Sequence, residues 1–312
     1  MRILIIDSIN PVFAAKLTDA GHEVIDGCAW SQQQVTDSIN QYDGICIRSR
    51  FTIDQTFLDT AQRLKFIARA GAGMENIDLH YAASKGIACI NSPEGNRDAV
   101  GEHATGMLLM LLNRLAIANE EVRNGTWLRA ENRGRELKGL TVAIIGFGNM
   151  GSTFAKKLSG FECEILAYDP YIEISKTLFP FVKQVEMPEI FHRADILSLH
   201  VPLNAETLFL VDEGYLQKFR KEIIVINTAR GKNMRLSDLV KNIKSGKVAG
   251  ACLDVFEFES SSFENIDTGH LKDDWQYLIH SQKVILTPHI AGWTHDSNYK
   301  MAAILAEKIL AL

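Results

Sequence analysis

Side chains able to move a proton or to hold a carboxylate stand at the ends of apolar runs in the second half of this chain. Arg230 follows the run 223–229, and Asp254, Glu257 and Glu259 follow 248–253. His200 ends 195–199, and His289 follows 284–288. In open α/β sheets the reactive groups gather beyond the carboxyl ends of the strands, where all of these would fall. An imidazole titrates near neutrality and suits taking a proton from an alcohol. A guanidinium offers paired donors to a carboxylate and can polarise a carbonyl. A carboxylate bonded to the imidazole would fix its tautomer. Each residue also has a plain structural reading, since a strand-end histidine is more often a structural hydrogen bonder. Spacing leaves His200 and His289 both open. It leaves Glu257 and Glu259 open too, because residues two apart on an extended chain share one side. His103, beside Glu102 on an expected long helix, reads as a partner-bonded helix histidine.

A second motif says what such groups would act with. The apolar run 141–145 leads into Gly146-x-Gly148-x-x-Gly151, then an expected helix over 149–159 and a second apolar run, 164–168, ending on Asp169. Gly146 makes a tight turn, Gly148 lets backbone approach a pyrophosphate, and Gly151 lets helix and strand pack closely. The helix start at Asn149 and Met150 turns free N–H groups toward negative charge. Asp169 stands where a carboxylate accepts ribose hydroxyls. A lone glycine triplet is weak evidence, but strand, glycines, helix, strand and acid in this order specify a dinucleotide. A 2′-phosphate beside Asp169 would meet a repulsion of roughly 4 kcal/mol at ~4 Å and an effective dielectric of ~20. Residues 170–175 carry no Arg or Lys to relieve it. The cofactor read from the sequence is NAD, not NADP.

The bulk properties narrow the class. The chain has 312 residues, is 46% hydrophobic and 23% charged, and carries a net charge of −5, enough for two domains with a core each. No Lys/Arg stripe suggests nucleic acid. Cys28, Cys46, Cys89, Cys163 and Cys252 show no C-x-x-C pairing and read as buried thiols of a reducing compartment; no metal site is expected. The start, residues 1–7, reads as a strand and not a signal peptide, and the longest helical apolar patch, 107–112, is too short for a bilayer. The expectation is a cytoplasmic protein without a membrane partner.

Short apolar strands alternate with amphipathic helices, which predicts parallel sheets covered on both faces. The first series places strands near 2–7, 23–25, 44–48, 65–69 and 87–90, and breaks at the turn residues 91–96. One long helix is expected over 98–124. The second series starts at 141 and continues near 164–168, 195–199, 222–227, 248–253 and 283–287, with a closing helix over 296–312. The glycine fingerprint lies in the second series. The expected architecture is therefore a Rossmann NAD-binding domain, 98–287, inserted into a flavodoxin-like parallel α/β substrate domain, 1–97 plus 288–312. The active site is expected in a cleft between them, and a long surface loop is expected from 259 onward.

Asn227-Thr-Ala-Arg230-Gly, Gly250 to Glu259 and Thr287-Pro-His289-Ile-Ala-Gly292, in this order over nearly the whole chain, resemble the D-isomer-specific 2-hydroxyacid dehydrogenases. The resemblance implies that Arg230 binds the substrate carboxylate and carbonyl, that His289 is the acid/base paired with Glu259, and that Asp254 holds the nicotinamide carboxamide. Thr228, Ala229, Arg230, His289 and Gly292 complete the implied cofactor contacts, and His200 falls back to structure. Arg48-Ser-Arg-Phe-Thr52, Arg69 to Asp78 and Asn91 to Asn96 are similar to the D-3-phosphoglycerate dehydrogenase branch. That likeness implies a substrate carboxylate on the loop Gly71, Ala72 and Gly73. It places Arg48, Ser49 and Arg50 toward a phosphate, with Asn96 nearby; the plain reading of the arginines is solvated strand-end charge. Glu75 stands where the family usually has Asp, and Ser260 replaces a common Pro. The span from Glu259 to His289 is longer than usual, and no C-terminal regulatory domain is expected after the last helix. The implied activity is oxidation of D-3-phosphoglycerate to 3-phosphohydroxypyruvate, the entry to serine synthesis. Its alternatives are a glyoxylate or hydroxypyruvate reductase with the same triad and, more remotely, an NAD(H)-sensing corepressor of the same fold. Resemblance also implies a homodimer through the NAD domain, with 123–127 as its arm.

Overall fold

In the computed structural model, residues 1–259, 269 and 272–312 are described, and the chain divides into two compact units. The first comprises Met1–Arg97 and Trp293–Leu312. Its strands β1 (Arg2–Ile5), β2 (Glu23–Asp26), β3 (Gly44–Ile47), β4 (Phe66–Arg69) and β5 (Ala88–Asn91) form a parallel sheet in the order β2-β1-β3-β4-β5. That is the flavodoxin-like order. Helices α1 (Val12–Asp19), α2 (Gln32–Ser38), α3 (Gln55–Thr60) and α4 (Leu79–Ser84) cross between the strands. Ser31, Asp54 and Asp78 start α2, α3 and α4 by accepting the N–H groups of Gln34, Phe57 and Tyr81, donors a helix start otherwise leaves open.

Alternate residues of the central strands face opposite sides, so both faces of this sheet must be covered. Leu4, Ile45, Ile47 and Ile67 pack with Val35, Phe57 and Leu58 of α2 and α3. Ile3, Cys46 and Phe66 pack with Phe13 and Leu17 of α1 and with Leu305 and Ile309 of the C-terminal helix, His295–Leu310. Lys308 fastens that helix beside β5, donating to the Asn91 carbonyl at 2.9 Å and to the Glu94 carboxylate at 2.8 Å.

Among the described residues, the second unit comprises 98–259, 269 and 272–292. Helices α5 (Arg97–Leu112) and α6 (Leu115–Arg123) precede a sheet of β6 (Thr141–Ile145), β7 (Glu164–Tyr168), β8 (Val182–Gln184), β9 (Ile196–Leu199), β10 (Ile223–Asn227), β11 (Val248–Leu253) and β12 (Val284–Leu286). The strands are parallel in the order β12-β11-β10-β9-β6-β7-β8. Counted within the unit this is the Rossmann order with one strand added beyond β11, and it reverses between β6 and β9, where such sheets bind ligands. Helices α7 (Asn149–Leu158), α8 (Met187–Arg193), α9 (Glu213–Gln217), α10 (Leu236–Lys244) and α11 (Lys272–His280) lie between the strands.

Several expectations change. The single helix over 98–124 is two helices: Arg114 takes a left-handed φ of 53°, and the Leu112 carbonyl accepts the Arg135 N–H at 2.9 Å, off the helix ladder. Arg114 itself donates to Asn132 and Gln282, both at 3.2 Å. The short edge strand β8 and helix α11 were not read from the sequence. The units divide after Gly292, not after 287, because the Asp254 carboxylate accepts the Ile290 and Ala291 N–H groups at 2.8 Å each and so keeps that turn with β11. Of the loop expected from 259 onward, residues 260–268 and 270–271 lie outside the described residues. No helix among the described residues is long and apolar enough to cross a membrane.

Candidate active site

The glycine turn is built for a close visitor. Gly146 has φ +87°, and a Cβ there would sit 2.6 Å from the His200 carbonyl oxygen. A Cβ at Gly151 would lie 2.0 Å from the Gly146 carbonyl, so helix and strand can approach only without it. At Gly148 a Cβ would meet nothing within 4 Å. The start of α7 has no side-chain cap, an arrangement in which the first N–H groups of a helix could hold a phosphate group. Asp169 follows β7, and its carboxylate accepts the N–H groups of Phe147 (2.7 Å), Tyr171 (2.9 Å) and Ile172 (3.1 Å). It is oriented by backbone, and these three bonds fill three of a carboxylate's four lone-pair directions. Tyr171 donates from its hydroxyl to Glu206, which brings a second acid to that loop.

Three strand ends carry the proposed triad. Strand β10 is buried throughout and ends on Asn227, itself fully buried. The Asn227 amide donates to the Arg230 carbonyl at 3.0 Å and accepts the Ala229 N–H at 3.1 Å, shaping the turn that presents Arg230. Thr228 is 9% exposed, and its buried hydroxyl has no partner among the described residues. Asp254, at the end of β11, is 1% exposed. His289 takes a left-handed φ of 55°, costly for a non-glycine residue. Its N–H holds that conformation by donating to the carbonyls of Asp254 (2.8 Å) and Thr287 (3.1 Å).

The imidazole Nδ1 of His289 and Oε2 of Glu259 are 2.6 Å apart, with side chains 23% and 12% exposed. Oε1 of Glu259 accepts the Phe256 N–H. Glu257 turns elsewhere, accepting the Leu236 N–H at 3.4 Å, and burial pushes its carboxyl above the usual range. The two acids left open by spacing are thus divided by geometry. His200 lies in packing: its ring stands 5.2 Å from Phe154, Nε2 meets the Ser198 hydroxyl at 2.8 Å, and Nδ1 is buried without a partner among the described residues. Burial lowers its pKa to about 3, so it stays neutral.

In the first unit, Asp7 organises the expected phosphate loop. One of its oxygens accepts the N–H groups of Arg48 (3.0 Å), Ser49 (2.9 Å) and Arg50 (3.1 Å). The Arg48 guanidinium stacks 4.2 Å from the Trp293 ring centre. Arg50 departs from its expected role. It donates to the carbonyls of Ile6 (3.2 Å), Trp30 (2.8 Å) and Cys28, joining the loop to β1 and the segment after β2. The carbonyls of Gly71 and Ala72 are held by the Ser92 N–H (3.1 Å) and the Asn91 amide (2.6 Å). Gly73 is buried, and Oδ1 of Asn96 is buried without a partner among the described residues. Asp7, Asn227, Thr287 and Trp293 carry site geometry that the sequence did not single out. The signal available for Asp7 and Asn227 was an acid or amide ending a buried strand.

The strand order and the glycine cradle define the second unit as a dinucleotide-binding domain. The D-isomer specific 2-hydroxyacid dehydrogenase NAD binding domain matches residues 105–291. The chain belongs to that family, and its cofactor is NAD. It is 33% identical over 310 residues to the D-3-phosphoglycerate dehydrogenase of Archaeoglobus fulgidus, covering 99% of this chain and 57% of that protein. The hydroxypyruvate reductase of Thermotoga maritima is 34% identical over 271 residues, covering 87% and 85% of the two chains. The crystal structure of a D-lactate dehydrogenase from Aquifex aeolicus complexed with NAD and lactic acid superposes with a TM-score of 0.83 at 25% identity, covering 100% and 95%. The chain thus spans little more than half the length of the D-3-phosphoglycerate dehydrogenases it matches.

Proposed function

We propose that the protein is an NAD-dependent D-2-hydroxyacid dehydrogenase that interconverts D-3-phosphoglycerate and 3-phosphohydroxypyruvate in the cytoplasm, as the entry to serine synthesis. The observation that carries the proposal is the His289–Glu259 pair at 2.6 Å, held on a strained backbone that only a set of specific bonds maintains. NAD supplies the hydride acceptor. Glu259 at Nδ1 fixes the tautomer that leaves Nε2 of His289 unprotonated, and Nε2 takes the hydroxyl proton during oxidation. In reduction the same atom returns it. Arg230 binds the substrate carboxylate and polarises the carbonyl, with the N–H groups of the 71–73 loop as further carboxylate donors. Asp254 accepts from the nicotinamide carboxamide. Arg48 supplies the cation for the 3-phosphate, and Ser49 and Asn96 its neutral partners.

The Arg50 bonds to three backbone carbonyls favour a second reading, reduction of the uncharged-tail acids hydroxypyruvate or glyoxylate, because they leave one arginine of the expected pair for a phosphate. A homodimer is part of the proposal. Leu115, Val122 and Trp127, on and after α6, are 53%, 54% and 75% exposed, an apolar face suited to a second copy.

Initial rates with saturating NADH against phosphohydroxypyruvate, hydroxypyruvate and glyoxylate test the substrate. The proposal expects the highest kcat/KM for phosphohydroxypyruvate and a selective rise of its KM in Arg48→Ala. Faster reduction of the unphosphorylated acids supports the second reading. NADH binding without turnover of any acid points to the cofactor-sensing alternative.

A further inference from the structure

Behind the active-site turn, Asp254 is held by a polar chain through Thr287 and His103, two residues with no role in the chemistry above. Asp254 is 1% exposed. Oδ1 accepts the Thr287 hydroxyl (2.6 Å) and the Ile290 N–H (2.8 Å), and Oδ2 accepts the Ala291 N–H (2.8 Å). Three of the carboxylate's four lone-pair directions are therefore filled by the described residues, leaving one on Oδ2. The Thr287 hydroxyl has a single proton. A carboxylate only accepts, so that proton points to Asp254; the Met107 thioether, 3.7 Å away, has no proton to give, and the Thr287 oxygen accepts from its remaining neighbour. That neighbour is Nε2 of His103 on α5, 3.0 Å away with its side chain 22% exposed. His103 therefore carries a proton on Nε2, a tautomer fixed by the network.

We infer that His103 and Thr287 form a donor relay that orients the Asp254 carboxylate and keeps its last lone pair available for the nicotinamide carboxamide. This rests on the NAD-dependent reading above. His103 is a positioning residue in this scheme, acting on the cofactor only through Thr287 and Asp254. The relay ties helix α5 to the ends of β11 and β12. It makes recognition of the carboxamide depend on a histidine distant in sequence from every residue that would touch it. Without the hydroxyl, the carboxylate loses a charge-assisted bond and the direction it imposes.

The test compares NADH with reduced 3-acetylpyridine adenine dinucleotide, in which a methyl ketone replaces the carboxamide and no N–H remains to donate. Dissociation constants come from fluorescence titration of the full chain, with melting temperatures as a folding control. Thr287→Val should weaken NADH binding about tenfold, the scale of one hydrogen bond to a charged group, and weaken the analogue less than about twofold. Thr287→Ser and His103→Gln, which keep a hydroxyl and an N–H, should restore NADH affinity. His103→Leu should give the same selective loss, and combined with Thr287→Val it should add nothing further, because both break one chain. Should Thr287→Val fail to fold, His103→Leu alone reads the relay. Equal losses for both dinucleotides, or additive losses in the double variant, overturn the relay and leave the NAD-dependent reading standing. A wild-type chain that binds neither dinucleotide overturns both.

Discussion

Replacing Asp169 with Ser should erode the preference for NAD over NADP without destroying the cofactor site. The carboxylate is fixed by the N–H groups of Phe147, Tyr171 and Ile172, so it cannot swing away from an added 2′-phosphate. One unit charge on each group at ~4 Å and an effective dielectric of ~20 repel by roughly 4 kcal/mol, equivalent to about 10³ in relative kcat/KM. Asp169 is half-buried, and Tyr171 and Ile172 are exposed, so solvent screening brings the expected wild-type preference to about 10²–10³. The Asp169→Ser enzyme should fall to within about tenfold of parity. Parity itself is not expected, because Glu206, from the segment after β9 and bonded to the Tyr171 hydroxyl, keeps negative charge beside that loop; Glu206→Gln on the Asp169→Ser background should recover part of the remainder. The assay is kcat/KM for NADH and NADPH on one 2-keto acid, with melting temperature as control, since three N–H groups lose their acceptor and turn to water. Equal use of NADH and NADPH by the wild type would refute the reasoning, as would an unchanged ratio in a folded Asp169→Ser enzyme.

Three further outcomes follow from the site and its surroundings. His289→Ala should lose roughly 10²–10⁴-fold in turnover, the scale of a positioned acid/base, while NADH still binds; Glu259→Gln should lose less and Glu257→Gln little, and a reversed order of the two acids in steady-state rates would show that the wrong one was chosen. His200 should make folding acid-sensitive: its folded pKa of about 3 lies below the unfolded value of 6.5, so its contribution is complete above about pH 6.5 and is lost as pH falls toward 3. Urea titrations should show about 2 kcal/mol less stability at pH 5 than at pH 7 from this group, a difference missing in His200→Gln. Leu115→Lys with Trp127→Ala should shift the particle mass from dimer to monomer in light scattering; an unchanged dimer would place the interface elsewhere.

The parts of the fold legible in the sequence are those whose conformation is dictated locally. Buried parallel strands need continuous apolar runs, so β6, β7 and β10 announce themselves, and the turn at Gly146 requires a residue without a side chain. Strand β8, at the sheet edge, has one buried residue in three and no pattern to read. The helix break at Arg114 carries no Gly or Pro. It comes from a bond to Arg135 that only the tertiary fold supplies. The same distinction separates the site residues. His289, Glu259 and Arg230 were legible through motifs. Spacing alone left Glu257 and Glu259 open and the motif resemblance chose Glu259, whose contact with His289 spans 30 positions; the bonds of Arg50 to the Cys28 and Trp30 carbonyls depend on the packing of a segment 20 to 22 positions away.

NAD-linked chemistry on a D-configured 2-hydroxyacid, with His289 receiving the hydroxyl proton, is the proposed activity in its barest form. The most direct measurement is NADH formation by the wild-type chain from matched D- and L-2-hydroxyacids, D-3-phosphoglycerate and D-glycerate among them, with the His289→Ala chain run in parallel. NADH should form from the D acids and little or none from their L partners, and the D rate should collapse in His289→Ala. Equal rates with both enantiomers, no NADH from any D acid, or an undiminished rate without His289 would contradict the proposed activity.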